Sequence, residues 1–198
     1  GIRVLAPEEV ADLAARLAGV ERGLIVAGPQ TDPRLGPALA ELARAWGQPV
    51  LADSLSQVRC GPHDGRLVLD AYDAYLRLEA LATAFQPQVV LRFGAMPTSK
   101  PLTTCLQRWG GVQIVVDGGA GWRDAVGQAT HVIHADAVAF SREVARVLRE
   151  YKGEGGQGGS NPGPNGGPHS LWTQTWLQVD ALARRVMVEQ LTSGSALF

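Results

Sequence analysis

Short apolar runs alternate with helical segments along most of the chain, and this alternation is the strongest constraint on its fold. Unbroken apolar runs are typical of strands buried on both faces, because neither face of such a strand meets water. Parallel strands need long crossover connections, which helices usually supply. We therefore predict an α/β, Rossmann-like three-layer domain with a parallel sheet of five or six strands, over 23–28, 49–52, 67–69, 89–93, 112–116 and 131–134.

Between these strands, apolar residues recur at helical spacing. The spacing predicts helices over 7–17, 35–46, 99–109 and 136–148, and another through 72–81. The segment 152–168 reads KGEGGQGGSNPGPNGGP, and its glycines and prolines predict a flexible linker. We accordingly divide the chain into a Rossmann-like domain (1–150), a linker (151–169) and a terminal helix (170–198).

The terminal helix is predicted to bury one apolar stripe. Tryptophans four residues apart are more typical of core anchors than of a ligand cage, because each needs a large area covered. Their partner is either the sheet or a further domain of a longer polypeptide. The stripe comprises Trp172, Trp176, Val179, Ala183 and Val186.

Composition excludes several classes of function. The chain has 198 residues, 45% of them hydrophobic, and a net charge of −1, so it can bury one substantial core. The basic residues Arg142, Arg146 and Arg149 fit the solvated face of a helix, and no basic stripe indicates nucleic acid. No apolar run reaches the roughly 18 residues of a membrane span, and two distant cysteines indicate no disulfide framework. We expect a cytoplasmic protein.

Motifs for catalysis, metals and nucleotides are weak or missing in the sequence. There is no G-x-S-x-G and no H-E-x-x-H, and Cys60 and His63 have no second pair with metal-ligand spacing. After the first strand, Gly28 is followed by proline, glutamine and threonine, without the further glycines of a dinucleotide fingerprint. Asp53 nevertheless stands near the position of a ribose-binding acid, so a nucleotide-binding (FAD, ADP or NAD) module remains the alternative function.

The stretch 94–102, GAMPTSKPL, carries the best candidate site. Thr98 or Ser99 is suited to cap a helix that has Pro101 in its first turn, and this places Lys100 at a positively polarised helix end. The loop follows a parallel strand, where ligands of open α/β sheets bind. We predict that Lys100 and Ser99 bind an anionic substrate; the alternative is a solvated lysine or one bonded to a local carboxylate.

Five segments resemble the middle domain of the MenD family, the 2-succinyl-5-enolpyruvyl-6-hydroxy-3-cyclohexene-1-carboxylate synthases of menaquinone biosynthesis. They are GLIVAGPQ (23–30), PVLADSLSQVR (49–59), VLRFGAMPTSKPL (90–102), VVDGGAGWRD (115–124) and ATHVIHAD (129–136). The resemblance implies a parent transferase that uses thiamine diphosphate and Mg²⁺. Such a parent decarboxylates 2-oxoglutarate and adds the succinyl unit to isochorismate. By the same resemblance, this chain alone is expected to bind no cofactor and to be inactive.

The resemblance also implies partners and a role for Lys100. The family's middle domain presents a basic residue at this position, and Pro101 stands where some members carry a second one. The expected partners are the first and third domains of the same polypeptide, a second subunit and anionic small molecules. Arg92 and Arg123 lie near strand ends, and we predict that they line a second anion pocket at the same edge. The chain runs from Gly1 to an apolar Ala-Leu-Phe, as expected of a piece of a longer polypeptide.

Overall fold

The computed structural model describes residues 3–119, 124, 127–154 and 169–193. Strands and helices alternate through much of this part of the chain, although β3 follows β2 with no described helix between them. The strands are β1 (Gly23–Ala27), β2 (Val50–Ala52), β3 (Val68–Leu69), β4 (Val89–Phe93), β5 (Val112–Val116) and β6 (His131–Ile133). The helices are α1 (Pro7–Ala18), α2 (Leu35–Trp46), α3 (Tyr72–Tyr75), α4 (Glu79–Ala84), α5 (Lys100–Arg108), α6 (Ala137–Glu154) and α7 (Leu171–Thr192).

All six strands form one parallel sheet in the order β3-β2-β1-β4-β5-β6. Ile25 of β1 lies between Val50 of β2 and Leu91 of β4. The order reverses between β1 and β4, which makes their carboxyl ends the topological switch point of the sheet. The predicted α/β class and parallel sheet are confirmed.

Helices cover both faces of the sheet because its strands are apolar on both sides. Ile25 and Ala27 point into a core shared with α1, α2 and α6. Leu24 and Val26 point the opposite way, into a core formed with α3, α5 and α7. Alternate residues of one strand therefore serve two separate cores.

Two predicted helices differ from the structure. The helix expected over 72–81 is two short helices, because Leu78 adopts an extended conformation (φ −83°, ψ 115°) between α3 and α4. The helix expected to end at Leu148 continues to Glu154, so residues 151–154 of the predicted linker are helical. The remaining linker prediction, 155–168, lies outside the described residues.

Helix α7 packs against the sheet, which answers the question of its partner surface. Trp176 is 0% exposed and stacks on Phe85 with ring centroids 4.1 Å apart. The Trp172 indole N–H donates to the carbonyl oxygen of Gly23 at 2.8 Å. Val186, which the predicted stripe includes, is 46% exposed. The last residue of α7 that lies fully in the core is Asp180, so the second half of the helix runs beyond the area that the sheet covers.

Candidate functional site

The switch point of the sheet is closed by main chain. The Gly28 N–H donates to the Phe93 carbonyl at 2.8 Å, and the Ala95 N–H donates to the Pro29 carbonyl at 2.9 Å. A Cβ on Gly28 would lie 1.8 Å from the Ala95 carbonyl oxygen, and Gly94 has a positive φ of +75°. The loops after β1 and β4 therefore leave no crevice for a pyrophosphate between them.

Asp53, considered above as a ribose-binding acid, is used internally. The side chain is 1% exposed and follows β2 directly. Its Oδ2 accepts both the Thr98 main-chain N–H at 2.7 Å and the Thr98 hydroxyl at 2.8 Å. Its Oδ1 accepts the Leu55 N–H at 2.9 Å. The nucleotide alternative thus loses its acidic residue as well as its crevice, and nothing else in the described part of the chain favours it.

Ser99 is the N-cap of α5, as the sequence predicts. Its Oγ accepts the Leu102 N–H at 3.3 Å and donates its own proton to Asp73 Oδ1 at 2.7 Å. The other carboxylate oxygen of Asp73 pairs with Arg77 at 2.6 Å. Burial raises the pKa of Asp73, but the hydrogen bonds from Ser99 and Arg77 outweigh it and hold this pKa below its ordinary value.

Lys100 is the first residue of α5 and its side chain is exposed. Among the described residues it forms no hydrogen bond or ion pair, whereas the residues just before it are bonded to Asp53 and Asp73. The partial positive charge at the start of α5 is therefore compensated in part by the carboxylates of Asp53 and Asp73. The Lys100 ammonium remains available to a carboxylate from outside the described part of the chain.

Lys100 lines an open cavity of about 360 Å³ between α4 and α5. Arg77 and Arg108 line it as well, and Glu79 pairs with Arg108 through both carboxylate oxygens. Arg77 is likewise paired with Asp73, so Lys100 is the unpaired cation among the described residues that line this space. Cys105 also lines this cavity, and burial raises the pKa of its thiol to about 11, so the thiol is neutral near pH 7.

Arg92 does not line an anion pocket at this edge. It is 4% exposed, and its guanidinium pairs with Asp124 at 2.7 Å. Burial raises the pKa of Asp124, but the Ala129 N–H and the Arg92 side chain hold it below its ordinary value. The guanidinium is neutralised inside the protein. Arg92 is therefore not available to the predicted second anion pocket. Arg123 lies outside the described residues.

Arg59 is a further basic residue at the carboxyl edge of the sheet, and no sequence motif indicated it. Its Nε donates to the Ala52 carbonyl at 2.8 Å, and its side chain also hydrogen-bonds to the hydroxyl of Tyr72. Burial, followed by the negative charge of Asp53, raises the pKa of Tyr72 to about 12. A basic residue seven positions after a strand end was the available signal, but only the folded chain brings it beside Tyr72.

Other classes of site find little support in the described residues. No group of three histidine, cysteine or acidic side chains among them could hold a metal ion. Likewise, no helix in the described ranges is long and apolar enough to cross a membrane.

Comparison with known proteins supplies the family. No family model matches the chain. The sequence is 42% identical over 190 residues to a 2-succinyl-5-enolpyruvyl-6-hydroxy-3-cyclohexene-1-carboxylate synthase of Chloroflexus aurantiacus. It is 41% identical over 192 residues to the synthases of Geobacillus thermodenitrificans and Geobacillus kaustophilus. Each match covers 96% of this chain and 30% of the relative.

The chain is also similar to solved structures. One of them is a chain described as a candidate thiamin diphosphate-dependent enzyme from Mycobacterium smegmatis, with a TM-score of 0.47 and 20% identity over 74% of this chain and 30% of that one. The chain spans about 30% of the length of the curated relatives it matches. The similarity over almost all of its own length places this chain, as a partial sequence, in the MenD family of synthases.

Proposed function

We propose that this chain is the central domain of a thiamine-diphosphate-dependent synthase that decarboxylates 2-oxoglutarate and adds the succinyl unit to isochorismate. The observation that carries the proposal is the 41–42% identity to MenD synthases over 96% of the chain. In this proposal the domain is a scaffold for the other domains and for a second subunit. Thiamine diphosphate and Mg²⁺ are assigned to parts of the synthase outside this chain, and the protein acts in the cytoplasm.

The chain's own contribution to the chemistry is the ammonium of Lys100. Both substrates of the proposed reaction are acids, and a charge-assisted bond to a carboxylate is worth about 1.5–3 kcal/mol once water is excluded. Lys100 is exposed at the carboxyl edge of the sheet and lines a cavity whose two arginines are already paired with carboxylates. Ser99 supports this lysine as the N-cap of α5. Its hydroxyl proton is already donated to Asp73. The Ser99 oxygen also accepts the Leu102 N–H, so Ser99 has no proton left to donate to a substrate carboxylate.

The test is a kinetic comparison in the full-length synthase. Lys100→Ala should raise the KM for one acidic substrate about tenfold to a hundredfold, the equivalent of the charge-assisted bond, without changing thermal stability. Arg16→Ala is the matched control, because Arg16 is an exposed helical cation that, within the described ranges, pairs with Asp12 on α1. An unchanged KM in Lys100→Ala would remove Lys100 from the proposed site.

A second experiment separates the scaffold from the nucleotide alternative. A ligand at a hundred times its Kd raises the free energy of unfolding by about 2.7 kcal/mol. The isolated chain should therefore show no change in melting temperature with ADP, FAD or NAD. A saturable increase with any of the three would favour the alternative and contradict the closed switch point described above.

A further inference from the structure

The residues directly before Lys100 are held by a carboxylate from a neighbouring strand. Asp53 lies at the carboxyl end of β2, and both of its bonds to Thr98 use the same oxygen, Oδ2, at 2.7 and 2.8 Å. The remaining oxygen accepts the Leu55 N–H at 2.9 Å. All the side-chain hydrogen bonds that Asp53 makes in the described chain therefore go to the two loops at this edge of the sheet.

These bonds fix the main chain two residues before Lys100. Hydrogen bonds to an ionised acceptor are about twice as strong as neutral ones, and here they hold both the main chain and the side chain of Thr98. Ser99 is held separately by Asp73 at 2.7 Å. The start of α5 is thus tied down from β2 and from α3, which settles the direction in which the Lys100 side chain leaves the helix.

The charge of the buried Asp53 carboxylate is compensated by hydrogen bonds. A carboxylate that is 1% exposed is costly unless its charge is compensated, and no described arginine or lysine forms an ion pair with it. Its negative charge instead faces the amide end of α5, where an anion is favourable. Two of the three hydrogen bonds to this carboxylate come from Thr98, in the loop that presents Lys100, and the third comes from the Leu55 N–H.

From this geometry we infer that Asp53 is a positioning residue for Lys100. By holding Thr98, it keeps the ammonium in the orientation that receives the substrate carboxylate, so that little ordering remains to be done on binding. The inference rests on the proposed function, because it requires that Lys100 meets an anionic substrate.

A double-mutant cycle in the full-length synthase tests it. Asn is nearly isosteric with Asp, but its side-chain NH₂ group is a donor. In Asp53→Asn this NH₂ group would face the N–H of either Thr98 or Leu55, so one of the present hydrogen bonds is lost. Asp53→Asn should raise the KM for the acidic substrate about fivefold to tenfold with kcat unchanged, and in the Lys100→Ala background it should raise this KM by less than about twofold. Equal effects in both backgrounds, or an unchanged KM, would refute the positioning role.

A milder pair of variants covers the case in which Asp53→Asn does not fold. Thr98→Val removes one of the bonds to Asp53, whereas Thr98→Ser keeps the hydroxyl. Thr98→Val should raise the KM about twofold to fivefold, whereas the separate variant Thr98→Ser should have the wild-type KM. If both variants have the wild-type KM, the inference fails.

The control for general destabilisation is Asp136→Asn. Asp136 accepts the Ala139 N–H at 2.8 Å at the start of α6, so it is also a carboxylate that holds a helix start. This variant should lose stability and keep its KM. The two proposals fail differently: an unchanged KM in Lys100→Ala refutes the proposed function, while a raised KM with an additive Asp53→Asn effect refutes only the positioning role.

Discussion

The carboxylate of Asp180 accepts the main-chain N–H of Ala71 at 3.0 Å and so joins residues 109 positions apart in the sequence. Asp180 is 2% exposed and also accepts from Tyr75 and from Arg184. Burial, together with the charge of Asp180, raises the pKa of the Tyr75 hydroxyl, which stays protonated and acts as a donor. Polar bonds therefore fasten helix α7 to α3 and its N-cap residue, in addition to the packing of its tryptophans.

Replacing Asp180 should loosen α7. Asp180→Ala leaves the Ala71 N–H and the Tyr75 hydroxyl buried without their acceptor, at a cost of about 2–4 kcal/mol in the free energy of unfolding. Urea unfolding of the chain, followed by tryptophan fluorescence, measures this loss. The exposed Asp12→Ala should change the free energy by less than about 0.5 kcal/mol. Similar values for the two variants would contradict the role of Asp180.

The closed switch point makes Gly28 intolerant of any side chain. Gly28→Ala would place its Cβ 1.8 Å from a main-chain oxygen, so the loops after β1 and β4 must separate. We expect a loss of at least about 3 kcal/mol or failure to fold. Gly65→Ala is the control, since a Cβ there meets no atom within 4 Å. Equal melting temperatures for the two variants would show that the loops can part at little cost.

The buried pair of Arg92 and Asp124 should be sensitive to removal of one partner. Arg92→Met leaves the Asp124 carboxylate buried without its cation, at a cost of about 3–5 kcal/mol near pH 7. Arg22→Met, on the surface before β1, should cost less than about 0.5 kcal/mol. The measurement is chemical denaturation at neutral pH.

The same pair predicts a pH dependence. Because the folded pKa of Asp124 is below its ordinary value, its stabilising contribution is present above the unfolded pKa of about 3.9 and is lost as the pH falls through the folded pKa. In Arg92→Met the uncompensated carboxylate should have a raised pKa, so acidification should reduce the stability difference between variant and wild type. A difference that is constant from pH 7 to pH 3 would contradict the ion pair.

The two cysteines should differ strongly in reactivity. Cys60 is exposed, whereas Cys105 is buried and its pKa is raised to about 11. Because the thiolate is the reactive form, a maleimide at pH 7.5 should label Cys60 at least about a hundred times faster than Cys105. Mass spectrometry of the labelled chain measures both rates, and unfolding in urea should make them similar. Comparable rates in the folded chain would place Cys105 at the surface.

The strand pattern was predictable because burial on both faces leaves a signature within a few adjacent residues. The run 89–93 and the strand Val89–Phe93 coincide for this reason. The bonds of Asp53, Asp73 and Asp180 were not predictable, since each joins residues between 26 and 109 positions apart. Arg92 was misjudged on the same ground: a charged residue in a buried strand signals a partner, but its sequence position does not reveal that Asp124 is that partner.

Helix α3 is a single turn of four residues, and it contacts a different helix on each of two sides. On one side its Tyr75 meets Asp180 of α7, and on the other its Asp73 holds the hydroxyl of Ser99. A displacement of the exposed end of α7 would therefore reach α3 through Asp180. Helix α3 in turn contacts Ser99, the residue directly before Lys100. The four residues of α3 thus connect the contacts made by α7 with those made by the start of α5.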